Sequence, residues 1–209
     1  MKTSVIIPVK TFQRSKTRLQ LSEEKTKELC KLLLEEVVKT VSKSGLIDET
    51  IIITNEEQVS NIIIKYNCKK IQDVDERSVN DAVALAEEYL LENDFTHSIV
   101  LPLDVPFFYS EDLKELLGFS SEKSVVIVPS RHFDGTNALV RSPVNSMNPR
   151  YDEGSYRFQI ESAKKFDVKI SIGLIYRLML DIDNMKDLEY ALKHNIKPEF
   201  CQKIKEIID

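Results

Sequence analysis

Between positions 10 and 18 the chain reads Lys10-Thr11-Phe12-Gln13-Arg14-Ser15-Lys16-Thr17-Arg18, four cations with no acid among them. The cluster follows a short apolar run and precedes a helical segment, whose N-terminal dipole repels positive charge. A polyphosphate bound there would relieve the conflict; a solvated basic loop is the plainer alternative. Neither GxxxxGK[ST] nor GxGxxG occurs, and the five glycines of the whole chain cannot build a glycine-rich cradle. Side-chain cations would have to replace it.

Carboxylates stand at two other places where chemistry is expected. Asp104 closes the run Leu101-Pro102-Leu103-Asp104-Val105-Pro106. There it could hold a hard cation such as Mg²⁺ through oxygen, or simply make an Asx-turn. Near the end comes Leu180-Asp181-Ile182-Asp183-Asn184. In a strand, residues i and i+2 share a face, so Asp181 and Asp183 can point the same way. Asp181 is the favoured second metal ligand; Asp183 or Asn184 suits the N-cap of the next helix. Two further loops, Asp134-Gly135-Thr136-Asn137 and Asp152-Glu153-Gly154-Ser155, offer hydroxyls and free N–H groups to a small anion. Alone they are ordinary turn and cap sequences, and Asn80 is most simply a first-turn residue of its helix.

The elements that must position these groups follow from hydrophobic period. Val5–Val9 reads as a strand buried on both faces. Leu29, Leu33, Val37 and Val41 make Ser22–Ser42 an amphipathic helix. Further strands are expected at 50–54, 70–74, 98–103, 124–129, 137–140, 168–172 and 178–182. Further helices are expected at 57–66, 78–91, 111–117, 155–166, 185–193 and 198–208. Alternating strands and helices predict an α/β fold, a mostly parallel mixed sheet with helices on both faces. The close spacing of strands after Ser124 predicts an antiparallel excursion. Ligands on such sheets sit beyond the carboxyl ends of the strands, which is where the candidates lie.

Composition sets the outer limits. The 209 residues, 42% hydrophobic and 30% charged, suit one domain spanning 1–209 with a sizeable core. The net charge of −5 argues against nucleic acid as a partner. No run approaches the roughly 20 apolar residues of a membrane span, and the apolar start is too short for a signal peptide. Three cysteines without CxxC spacing and three scattered histidines point away from disulfides or zinc and toward the reducing cytoplasm.

Read in order, Ile6-Ile7-Pro8-Val9-Lys10, Ser15-Lys16-Thr17-Arg18-Leu19, Leu103-Asp104-Val105-Pro106, Gly135-Thr136-Asn137-Ala138-Leu139, Glu153-Gly154-Ser155 and Asp181-Ile182-Asp183 form a series. The series resembles the 2-phospho-L-lactate guanylyltransferase family of deazaflavin coenzyme F-420 biosynthesis, from Ile6 to about Leu188. The resemblance implies a nucleotide-diphospho-sugar-transferase type of sheet and Mg²⁺-dependent transfer of GMP from GTP to 2-phospholactate or phosphoenolpyruvate. It implies that Lys10, Lys16 and Arg18 face the triphosphate, with Lys16, Arg18 and Asp104 serving catalysis. Asp104 and Asp181 would hold the metal, Thr136, Asp152 and Ser155 would meet the acceptor, and Asn80 would lie near the guanine. It also suggests a homodimer. The family usually has Gly where this chain has Asp152. The rival readings are a related nucleotidyltransferase with another base or acceptor, and a GTP-binding regulatory module.

Overall fold

The computed structural model describes residues 2–14, 16–151 and 154–209. Its centre is a seven-stranded sheet built from β1 (Thr3–Val9), β2 (Glu49–Thr54), β3 (Lys69–Ile71), β4 (His97–Val100), β5 (Ser124–Pro129), β6 (Thr136–Ser142) and β7 (Lys169–Ile172). The order across the sheet is β3-β2-β1-β4-β6-β5-β7. Strand β6 runs against both neighbours, β4 and β5, and every other pairing is parallel. The expected antiparallel excursion is therefore one reversed strand.

Helices cover both faces, as the alternating pattern requires. Inward residues of one parity, Val5, Ile7 and Val9, pack under α1 (Glu23–Ser44), α4 (Ser110–Gly118), α6 (Met185–His194) and α7 (Pro198–Ile208). The other parity, with Ile6, Ile51 and Ile53, packs under α3 (Val79–Glu92) and α5 (Ser155–Ala163). Leu29, Leu33 and Val37 of α1 are fully buried, so truncating Leu33 to Ala would cost about 2–5 kcal/mol. Helix α1 starts because Ser22 caps it, its side chain accepting from Lys25 N–H, with Glu23 and Glu24 in the first turn. It stops at Gly45, whose φ of +64° closes the C-terminus in the left-handed region. The short helix α2 (Ser60–Lys65) follows a 3-10 turn at Glu57–Val59, so the expected 57–66 helix is divided.

The sheet also makes its own crevice. β1 pairs with β2 as far as Val9 but with β4 only from Thr3 to Ile6. Pro8, with no N–H to give, lies beyond the last rung on the β4 side. There the two strands diverge, at the point where chain order reverses across the sheet.

Most strand bounds shift by one or two residues from the sequence expectation, and three differences are larger. No ladder forms at 178–182: Leu178 N–H and Met179 N–H both turn back to Ile175 O, and β7 already fills the sheet edge. Leu178, Leu180 and Ile182 are buried, so their alternation is satisfied by packing without strand pairing. β4 ends at Val100, ahead of Pro102, and β3 ends at Ile71 instead of Val74. Among the described residues no helix is long and apolar enough to cross a membrane.

Candidate active site

A cleft of about 400 Å³ opens at the carboxyl ends of the central strands. Along the sheet edge its wall runs from Asp73, beyond β3, past Pro8, Val9 and Lys10 after β1, to Leu103 and Asp104 after β4. It ends at Gly135, just before β6, and at Thr136 and Asn137, which open that strand. Lys16, Tyr151, Ser155, Asp181 and Asp183 complete the lining near the polar end, and Ser78, Val79 and Ala82 of the α3 start line it as well.

Lys16 reaches this cleft from a backbone in the left-handed region, with φ of +53°. A non-glycine residue is uncommon there, and such strain gathers at functional sites. Its ammonium donates to Asp104 Oδ2 at 2.5 Å and to Asp183 Oδ1 at 2.8 Å. Burial disfavours the charge, but the carboxylates of Asp104 and Asp183 outweigh it and raise the Lys16 pKa above its ordinary value. The basic loop thus draws acids from distant positions. It also stands off from the start of α1, because 3-10 turns at Phe12–Arg14 and Thr17–Leu19 intervene. The chain itself relieves part of the electrostatic conflict that the sequence raised.

Asp181 is in the opposite condition. Burial first, and then the charge of Asp104, push its carboxyl up to about 7, against a hydrogen bond from Asn137 Nδ2 at 3.2 Å. Two carboxylates that crowd each other in a cleft suit a hard divalent cation, which takes one or two carboxylates and completes its shell with phosphate and water oxygens. Among the described residues no group of three or more His, Cys, Asp or Glu is arranged to hold a metal ion. Asp183 does not cap α6. Asn184 does so, accepting from Lys186 N–H and Asp187 N–H, which leaves Asp183 to Lys16.

The loop after β1 is held by two buried acids. Thr11 N–H and its hydroxyl donate to Glu76 Oε1 and Oε2 at 3.0 and 3.1 Å, and Phe12 N–H donates to Glu56 Oε2 at 3.0 Å. The N–H groups of Thr11 and Phe12 are thus committed to carboxylates. Lys10 is exposed at the cleft wall; Arg18 is exposed on its 3-10 turn and does not line the cleft.

At the opposite end, Ser155 Oγ donates to Thr136 Oγ1 at 3.0 Å, both residues being buried. Ser155 opens α5, whose cap Gly154 has φ of +75°, no side-chain cap and no acid in the first turn. Ser155, the first residue of α5, lines this end of the cleft, so the positive end of the helix dipole favours an anion there. Asp152 lies outside the described residues. Asn80 does not line the cleft; its Oδ1 accepts Tyr151 N–H at 2.8 Å and ties the loop before α5 to α3. Beneath Tyr151 the guanidinium of Arg141 is fully buried and paired with Glu87.

The sequence reading thus brought Lys10, Lys16, Asp104, Thr136, Ser155, Asp181 and Asp183 into one cleft. It missed Asp73, which is buried and lines the same cleft. Reading β3 through to Val74 hid it inside a strand; the strand-end rule applied after Ile71 would have found it.

Known proteins agree with this architecture. The fold matches a crystal structure assigned as a nucleotide-diphospho-sugar transferase, from Desulfovibrio desulfuricans G20, with a TM-score of 0.75 at 12% identity, covering 100% of this chain and 97% of that one. The fold is therefore of that type. A 2-phospho-L-lactate guanylyltransferase of Methanobrevibacter smithii is 28% identical over 97% of this chain and 89% of its own length. A phosphoenolpyruvate guanylyltransferase of Conexibacter woesei is 28% identical over 90% and 86%. A 3-phospho-D-glycerate guanylyltransferase of Colwellia psychrerythraea is 30% identical over 90% of each chain. Residues 3–205 match the family described as guanylyl transferase CofC like, and the chain belongs to that family of nucleotidyltransferases.

Proposed function

We propose that this protein transfers GMP from GTP to a small phosphorylated carboxylic acid, 2-phospho-L-lactate or phosphoenolpyruvate, in coenzyme F-420 biosynthesis. The observation that carries the proposal is one cleft holding a buried cation, Lys16, among three carboxylates, opposite a hydroxyl pair at a helix start. With a divalent cation on Asp104 and Asp181 to offset their charge, such a cleft would suit two polyanions that must be brought together.

In the reaction, an oxygen of the acceptor phosphate attacks the α-phosphorus of GTP. The new phosphorus–oxygen bond forms as the bond to the bridging oxygen breaks, and pyrophosphate leaves with that electron pair. Catalysis then rests on positioning and charge neutralisation, with no covalent enzyme intermediate. Thr136, Ser155 and the first turn of α5 hold the acceptor. Lys16 turns its ammonium toward the reacting phosphates, with Lys10 at the wall as a further cation; Arg18, outside the cleft lining, has no part in this arrangement. Asp104 and Asp181 would hold Mg²⁺, which supplies charge stabilisation on the phosphate oxygens.

The test is to incubate the protein with Mg²⁺, each of the four nucleoside triphosphates and each acceptor, 3-phosphoglycerate included, and to measure pyrophosphate. Release with GTP and 2-phospho-L-lactate or phosphoenolpyruvate is expected. Equal release with every triphosphate, or none with any pair, would overturn the proposal.

A further inference from the structure

The cleft is chemically asymmetric along the sheet edge. The hydroxyl pair Thr136–Ser155 lies at the β6 end, and Asp104 with Lys16 lies in the middle, after β4. If the acceptor and the α-phosphate take those places, the nucleoside must extend the other way, over the end of β1 toward β2 and β3. There the wall offers apolar groups, Pro8 and Val9 after β1 and Val79 and Ala82 of α3, together with Lys10 and Ser78. Residues 79 and 82 are three apart on a helix and share one face, so they offer a flat purine ring a surface to pack on. A charged side chain in this part of the wall is Asp73.

Asp73 is 8% exposed and is fixed from two directions. Its N–H donates to Thr54 O at 3.3 Å, and its Oδ1 accepts Glu76 N–H at 3.1 Å. The same Glu76 holds the loop after β1 through Thr11. An ionised carboxylate only accepts hydrogen bonds and has roughly four lone-pair sites, so the Glu76 bond leaves capacity for a ligand.

We infer that Asp73 reads the base, accepting N1–H and the exocyclic 2-amino hydrogen of guanine and thereby selecting GTP. Guanine presents those two donors side by side. Adenine presents an acceptor at N1, which a carboxylate repels, and it lacks the 2-amino group. Hypoxanthine keeps N1–H but lacks the amino donor. Asn80, with its carbonyl committed to Tyr151 N–H, is not placed for this task. The inference rests on the GMP-transfer reading for the direction of the nucleotide, and it adds the residue that decides which nucleotide enters.

The experiment compares GTP, ITP and XTP by kcat/KM for pyrophosphate release and by titration calorimetry, in the wild type and in Asp73→Asn. Wild type should prefer GTP over ITP by about 10-fold or more, the worth of one charge-assisted hydrogen bond. Asp73→Asn keeps an oxygen for Glu76 N–H and for N1–H but presents an amide donor where guanine also donates. That donor matches the 2-oxo group of xanthine. GTP should lose about 100-fold, and XTP should become the better substrate. Wild type that uses ITP as well as GTP would overturn the inference, even if the variant fails to fold. So would a folded variant that keeps the wild-type preference for GTP over XTP. Calorimetry separates the two readings: tighter binding of GTP than ITP without any pyrophosphate release supports base reading and overturns transfer.

Discussion

The Lys16 ammonium and the Asp104 carboxylate, 88 positions apart in the chain, meet at 2.5 Å where β1 and β4 diverge. The same ammonium reaches Asp183, so one cation compensates two acids while Asp181 stands beside them with its carboxyl raised to about 7.

Replacing Lys16 by Met should therefore have two separable effects. Pyrophosphate release should fall by about 100- to 1,000-fold, the range for removing one group that stabilises developing charge. Stability should fall by only about 1 kcal/mol, since Asp104 and Asp183 are partly open to water and screened. Added Mg²⁺ should raise the Tm of the variant more than that of the wild type, because Lys16 no longer competes for Asp104. Steady-state kinetics and thermal melts with and without Mg²⁺ check this. Equal Mg²⁺ shifts in both proteins would remove Asp104 from the metal site.

Asp181 gives a pH prediction for the metal-free protein. Its carboxyl titrates near 7 in the folded state and near 3.9 when unfolded. Between those values the native state binds the extra proton, so this group lowers stability progressively as pH rises from about 4 to 7. Asp181→Asn removes the penalty and still accepts from Asn137. The variant should melt together with the wild type at pH 4 and above it at pH 8, by an amount on the order of 1–3 kcal/mol. It should have lost pyrophosphate release. A variant less stable than the wild type at pH 8 would refute the assigned burial and crowding of this carboxylate.

The inner strands β1, β2 and β5 were legible because each carries a continuous apolar run, and the long helices because they carry a clear 3.6 period. The late segment 178–182 misled for a physical reason: Leu178, Leu180 and Ile182 alternate like a strand, but they are held by burial, a turn back to Ile175 O and one hydrogen bond from Ile182 N–H to Asp104 O, without a strand ladder. In the site, Asp104 was legible because it follows a strand end, and Lys16 because it belongs to the cationic loop that follows β1. Their direct pairing was not, since nothing local links positions 16, 104 and 183. The clamp on the first loop by Glu56 and Glu76 was hidden for the same reason: its partners are 44 and 65 residues away.

The hydroxyl pair should act on the acceptor and leave the nucleotide alone. Thr136→Val and Ser155→Ala each remove one hydroxyl from a 3.0 Å pair at the start of α5. Each should raise KM for the phosphorylated acid by about 10- to 100-fold, as expected for a hydrogen bond to a charged group. KM for GTP should stay within about twofold, because uniform effects on an independent subsite are not expected. A parallel rise in both constants would place these hydroxyls on the triphosphate.

Asn80 separates two placements of the nucleotide. Family resemblance sets it near the guanine, whereas its Oδ1 accepts Tyr151 N–H and anchors the loop that leads into α5. If anchoring is its task, Asn80→Ala leaves that N–H without its partner and loosens the approach to Ser155. KM for the acceptor should then rise about 10-fold, with the ratio of GTP to ITP use unchanged. Asn80→Asp keeps an acceptor for Tyr151 N–H and should restore most of the acceptor affinity. The decisive readout is the base ratio: a fall in GTP preference in Asn80→Ala, with acceptor KM unmoved, would put Asn80 against the base and shift the loop's anchoring to Tyr151 and Arg141.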